Sequence, residues 1–305
     1  MRSAAAGRSA YRSAASSPLC ILILLCSALS LAACAHTASP LAGDKPLNPN
    51  AVSFPGSTAM VWENPLSLMG LLRKPDGDGP FPAVVLLHGC GGINPQRDDR
   101  WIEKLLNLGY VTLQIDSFKP RGISSVCTYS GNDALDILQR RVVDAYDAKR
   151  FLAGKPFVDR KRIALMGWSH GGMTTLQALD RHEEDPFRAA VAFYPSCRSP
   201  LNDMNAPLLI LIGDADDWTP ASRCVAMMPN EKVSPEVSLK VYSGAYHGFD
   251  ILGANFNVRG SRGMHHLQYQ QEAELDSSIE VKNFLEKYLR EGVITSPNKR
   301  SSENN

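Results

Sequence analysis

The chain has 305 residues, is 44% hydrophobic and 21% charged, and carries a formal net charge of +1. That length and apolar fraction suit one large α/β domain with a well-buried core and do not require two. With no basic stripe or charge block, a nucleic-acid partner is not expected.

The first segment reads as a targeting sequence. Arg2, Arg8 and Arg12 lie in a Ser/Ala-rich stretch, and Leu19 to Ala33 is an uncharged apolar run, shorter than the roughly 20 residues that span a bilayer. The run ends in Leu31-Ala32-Ala33-Cys34, which resembles the lipobox of bacterial lipoproteins. On that resemblance residues 1–33 are a signal peptide removed before Cys34, and Cys34 is the lipidated residue. The alternative is an ordinary signal peptide cleaved at Ala32 and Ala33, and either reading exports the protein. Lipid on Cys34 would hold the chain on the periplasmic face of a bacterial membrane, with residues 34–50 as a flexible tether. Ala35 is not the Asp of inner-membrane retention, so the outer membrane is favoured by analogy.

Strand-like and helix-like segments alternate from near Val52. Leu66–Leu72 is an early strand, and Ala83–Leu87 is a continuous apolar run of the kind buried on both faces of a parallel sheet. It leads into His88-Gly89-Cys90-Gly91-Gly92. A helix carrying Trp101, Leu105, Leu106 and Leu108 stops at Gly109, and Tyr110–Ile115 is the next strand. A helix over Asn132–Ala153 ends at Gly154. Ala189–Tyr194, Pro207–Ile212 and Val237–Tyr242 are further strands, and an amphipathic helix is predicted over His265–Leu289. Residues 51–290 therefore read as one α/β domain, a mostly parallel central sheet with helices on both faces, followed by a disordered tail over 291–305.

The chemistry is concentrated at Arg162 to Leu176, where an apolar strand meets Gly167-Trp168-Ser169-His170-Gly171 and then a run with helical spacing. This is the strand, sharp turn and helix of a nucleophile elbow, with Ser169 at the tip and Gly167 and Gly171 removing side chains where strand and helix crowd together. A serine hydroxyl needs a base, and the base needs a carboxylate to orient it. Of the seven histidines, His36 falls in the tether, His182 at a charged helix end, and His265 and His266 at the start of the last predicted helix. His88 reads as shaping the glycine-rich loop. His170 adjoins the nucleophile and points away from it, contributing its backbone N–H. His247, in a glycine-flanked loop after the last strand, is the expected base. The acid is expected just after Ile212, at Asp216 or Asp217, because Asp214 sits too close to the strand end. Oxyanion donors are expected at the backbone N–H groups of His170 and Cys90.

As a set, Leu87-His88-Gly89-Cys90-Gly91-Gly92, Asp116 to Gly122, Gly167 to Gly171, Gly213 to Pro220 and Tyr246 to Phe249 resemble the dienelactone hydrolase family of the α/β-hydrolase fold, from about Ser53 to Leu289. The family's acid motif selects Asp216. Its namesake enzymes use a cysteine nucleophile beside an acidic residue in the oxyanion loop, whereas Ser169 and Gly89 stand here. The resemblance therefore implies a general hydrolase of carboxylic esters or lactones, acting through an acyl-enzyme on Ser169 without metal or cofactor. A serine peptidase or acyltransferase of the same fold shares these motifs, and a non-catalytic cell-envelope binding lipoprotein is the reading from another class.

Trp168, Tyr194, Trp218 and Phe249 would wall a small-molecule substrate site or else pack the core. Arg121 reads equally as a contact for a substrate carboxylate and as a salt-bridged residue. In this fold Cys197 and Cys224 fall at neighbouring places, so a disulfide between them is expected, and pairing of Cys90 with Cys127 is left open, as is oligomeric state. The cysteine spacings fit no zinc motif. Replacing Cys34 with Ala should release the protein from membranes with its specific activity intact. Fractionation of that variant with membranes would refute the lipid anchor.

Overall fold

The structure is a computed structural model and describes residues 49–290 except 59–63, 65, 182, 232 and 234. The signal peptide, Cys34, His36, nearly all of the tether, His182 and the tail of 291–305 lie outside the described residues. Ten strands and five helices follow one another among those described. β1 (Ala51–Gly56) and β2 (Leu66–Arg73) precede β3 (Phe81–Leu87), α1 (Pro95–Asn107), β4 (Val111–Asp116), α2 (Gly131–Ala153), β5 (Val158–Trp168) and α3 (His170–Leu179). β6 (Ala190–Phe193), β7 (Leu208–Gly213), α4 (Ala221–Met227) and β8 (Val237–Tyr242) come next, then β9 (Asn255–Gly260), β10 (Gly263–Gln268) and α5 (Gln271–Leu289).

Eight strands form one sheet in the order β1-β2-β4-β3-β5-β6-β7-β8. The first two strands run antiparallel to their neighbours, and every pairing from β4 to β8 is parallel. The apolar runs explain the middle of the sheet. Ala83 to Leu87 and Leu208 to Ile212 are almost wholly buried, as strands covered on both faces must be. α2 and α3 pack together on one face, where Tyr146 Oη donates to Ala178 O at 2.8 Å. α1 and α5 cover the other and are tied by Arg100 and Lys104 to the buried Glu274.

Register carries the site. Leu87 of β3 lies opposite Gly167 of β5, and Trp168 opposite Phe193 of β6, so the loops that follow these strands emerge side by side. β7 and β8 end together at Gly213 and Tyr242. A Cβ on Gly213 would sit 1.9 Å from Ala245 O, so only glycine lets the loop after β7 cross the loop after β8 in contact. Ligands of open parallel sheets bind at these carboxyl ends.

One predicted element is corrected. Residues 255–268 form a two-stranded hairpin, β9 with β10, and the last helix starts at Gln271 instead of His265. His265 and His266 therefore belong to β10. Gly260 and Gly263 bracket a tight turn, Leu267 is buried beside Ile251, and His265 stacks on Trp218 at 4.9 Å, so the ribbon earns its stability from tertiary contacts.

Both cysteine pairs are bridged: Cys197 with Cys224, and Cys90 with Cys127. The first closes a loop of 27 residues' separation that contains β7 and ends within α4, and on the chain-entropy account such a loop stabilises by about 3–4 kcal/mol. A Cys197→Ser, Cys224→Ser variant should lose about that much stability in reversible denaturant unfolding. Unchanged stability would show that the bridge contributes nothing.

Candidate active site

Ser169 sits between β5 and α3 with φ of 54°, a left-handed conformation that a non-glycine residue holds only when its surroundings impose it. The imposition is steric. A Cβ on Gly171 would lie 2.2 Å from Leu87 O, so the first turn of α3 is pressed against the end of β3 and the serine is levered outward. His247 Nε2 lies 2.9 Å from Ser169 Oγ, and His247 Nδ1 lies 2.8 Å from Asp216 Oδ2. The structure thus brings Ser169, His247 and Asp216 into one hydrogen-bonded line and leaves Asp217 out. Asp217 is half exposed, with Oδ1 3.4 Å from His265 Nδ1.

Asp216 is well provided with donors. Its Oδ1 accepts from the backbone N–H groups of Trp218 and Thr219 at 2.9 and 2.8 Å, and Thr219 Oγ1 stands 2.8 Å from Oδ2. Burial pushes this carboxyl up, but the adjacent His247 and the Thr219 hydrogen bonds outweigh it and hold the group below the usual carboxylate range. The imidazole of His247 is flanked by the rings of Tyr194 and Trp218, with centroids at 4.6 and 5.0 Å. From the far side Gln268 N donates to His247 O at 3.3 Å, which ties His247 to the hairpin.

His170 is the first residue of α3, where backbone N–H groups have no partner within the helix. Its side chain turns away, with Nδ1 2.7 Å from Arg141 Nη1. Cys90, in the loop after β3, is held by its disulfide and by Val126 N donating to Cys90 O at 2.8 Å. Both residues border a cavity that includes Ser169. His88 is buried in the sheet end. Burial first, then the positive charge of Arg141, holds its imidazole well below the usual histidine range, which suits a neutral structural group.

Two of the aromatic residues are core. Trp168 is still in β5, points beneath the elbow and stacks on Phe193 at 5.6 Å. Phe249 is fully buried beside Tyr194 and Tyr242. Tyr194 and Trp218 do border the cavity at Ser169. Arg121 borders neither cavity at Ser169 and pairs through both guanidinium nitrogens with the buried Asp144, at 2.8 Å each, so it is the salt-bridged residue of the two readings.

Sequence reasoning gave no role to Asp250. Its Oδ2 accepts from Trp101 Nε1 at 2.8 Å and Trp168 Nε1 at 2.9 Å, and its Oδ1 accepts from Tyr194 Oη at 2.7 Å. An Asp among Phe, Ile and Leu was the available signal, since an acid there needs donors. Thr219 and the hairpin were also missed.

Two cavities meet at Ser169, of about 170 and 80 Å³. A larger one of about 490 Å³ opens at the opposite end of the strands, near Lys149, Phe187 and Tyr288, and none of the groups just described borders it.

A mostly parallel sheet with a serine, a histidine and a carboxylate aligned at the carboxyl ends of its strands defines a serine hydrolase of the α/β-hydrolase fold. Within that class the chain belongs to the dienelactone hydrolase family, which it matches over residues 68–289. Similar folds include a dienelactone hydrolase-like promiscuous phosphotriesterase from metagenomic libraries, at TM-score 0.59 and 21% identity, covering 79% of this chain and 98% of that one. Another is Thermogutta terrifontis esterase 2 phosphoramylated by tabun, at TM-score 0.54 and 18% identity, covering 78% of this chain and 94% of that one. Among curated proteins, human dipeptidyl peptidase 8 is 29% identical over 171 residues, 52% of this chain and 18% of its own length. The chain spans less than a fifth of the length of such relatives.

Changing Asp216 to Asn keeps its size but favours the wrong histidine tautomer, so kcat should fall by about 10⁴-fold. Asp217→Asn should stay within a few-fold of the parent, since a surface carboxylate changes little when neutralised. The reverse pattern in steady-state kinetics would move the acid to Asp217.

Proposed function

We propose that the protein hydrolyses carboxylic esters or lactones through an acyl-enzyme on Ser169. The observation that carries this reading is the unbroken hydrogen-bonded line from Ser169 Oγ through His247 to Asp216, at 2.9 and 2.8 Å. His247 Nε2 takes the hydroxyl proton as Ser169 Oγ attacks the carbonyl carbon, and Asp216 holds the imidazole in the tautomer with Nδ1–H toward itself. The N–H groups of His170 and Cys90 bind the oxyanion, each lowering the barrier by about 3 kcal/mol. The alkoxide leaves with the proton from His247, and water, deprotonated by the same nitrogen, cleaves the acyl-enzyme to acid and free serine.

The esterase and phosphotriesterase among its structural neighbours support this reading. The dipeptidyl peptidase relatives favour peptide cleavage as a second reading, which dipeptide p-nitroanilides would reveal. The lipobox-like Cys34 supports a place at the periplasmic face of a bacterial envelope.

Replacing Ser169 with Ala should abolish labelling by a fluorophosphonate probe and lower p-nitrophenyl ester turnover by several orders of magnitude. Retained labelling, or ester turnover equal to the parent's, would overturn the assignment.

A further inference from the structure

Of the two cavities that meet at Ser169, His247 borders only the larger, of about 170 Å³. Its wall is apolar: Ile93 from the loop before α1, Ile251, and Phe256, Val258 and Leu267 from the hairpin. The arginine at its border, Arg97, is already paired with the buried Asp98, so a charged ligand group gains no free partner there.

The hairpin supplies most of that wall. Successive residues of a strand alternate between faces, and residues opposed across an antiparallel pair share one. β9 and β10 therefore put Phe256, Val258, His265 and Leu267 on one face and Asn257, Arg259, Met264 and His266 on the other. The first face turns to the cleft, where Val258 and Leu267 pack with Ile251 and Trp218. Phe256 shares that face yet stays 47% exposed, and Ile93 is 40% exposed. Two large apolar side chains left to water in the wall of one cavity are stabilised when a ligand covers them, and an apolar group does so without leaving polar atoms unpaired.

We infer that this cavity is the leaving-group pocket and that the ester cut at Ser169 carries an uncharged, apolar alcohol of about one ring in size, selected by Phe256 and Ile93. The side follows from the proton. The leaving oxygen takes it from His247 Nε2, so the alcohol lies on the side that His247 borders. The size follows from the volume, since a cavity of about 150 Å³ lined by Leu, Ile and Phe holds one benzene ring. Neither Phe256 nor Ile93 touches the reacting atoms, so both act on which alcohol is accepted and not on the bond-making step.

The inference rests on the ester reading, and the test separates the two. The full-length protein is assayed by proton release on benzyl acetate and methyl phenylacetate, isomers that place the same ring on the alcohol side or on the acyl side. The parent should favour benzyl acetate by about tenfold or more in kcat/KM, as burial of one ring allows. Phe256→Ala and Ile93→Ala should each lower that preference by about fivefold, and Phe256→Leu should keep most of it. Met264→Ala, on the outer face of β10, should leave it unchanged. All three side chains are exposed, so the variants should fold. Equal rates on the two isomers in the parent, or a preference for methyl phenylacetate, would overturn the pocket. So would an unchanged preference in both Phe256→Ala and Ile93→Ala, or a fall in Met264→Ala as large as theirs. Cleavage of p-nitrophenyl esters but of neither isomer would overturn the pocket as well, whereas failure of the parent on all of these esters would instead overturn the ester reading.

Discussion

The contact on which the site depends is the packing of α3 against the end of β3. With Gly171 lying where any side chain would strike Leu87 O, the helix begins closer to the sheet than ordinary residues allow. The chain can make that approach only by passing through a left-handed residue, and Ser169 is that residue, at φ of 54°. Holding serine there costs about 1–3 kcal/mol, and the buried sheet on either side supplies the over-determination that such strain requires. The same geometry leaves the N–H of His170 unpaired at the helix start. One steric fact therefore exposes the Ser169 hydroxyl and presents a donor beside it.

Beneath the site lies a buried polar cluster. Asp250 accepts three hydrogen bonds from Trp101, Trp168 and Tyr194, which satisfies a carboxylate that would otherwise be costly to bury. Tyr194 is also in the left-handed region, at φ of 36°, and its ring lies against His247. Burial first, then the charge of Asp250, pushes the Tyr194 phenol well above its usual range, so it remains a donor. The histidine is thus positioned from below by Tyr194, from the side by Trp218 and Asp216, and from the hairpin through Gln268.

What could be read from the sequence was what local rules determine. The glycine spacing around Ser169, the continuous apolar run Ala83–Leu87 and the glycine-flanked His247 each have a local cause, and the strands and loops they predicted are present. Asp216 was preferred to Asp217 from the residues, and the family motif selected it too, but local rules alone left Asp217 open, because which of two adjacent acids faces inward depends on the turn. The hairpin was misread because Met264, His265, His266 and Leu267 lack a decisive period, and their pairing depends on residues that precede them in β9. Trp168 could not be assigned to cleft or core, since a residue at the end of a strand may face either side of the sheet. Arg121 stayed ambiguous because its partner, Asp144, lies 23 positions away in α2.

The bridge from Cys90 to Cys127 has a thermodynamic consequence for the loop it joins. A loop that must gather itself around a developing charge loses conformational freedom in every catalytic cycle, and that loss adds to the barrier. Here the loop after β3 is fastened to the segment 124–127 by a covalent bond and by the Val126 to Cys90 hydrogen bond. Its freedom is surrendered once, when the bridge forms, so the oxyanion donor proposed at Cys90 is preorganised for every later turnover.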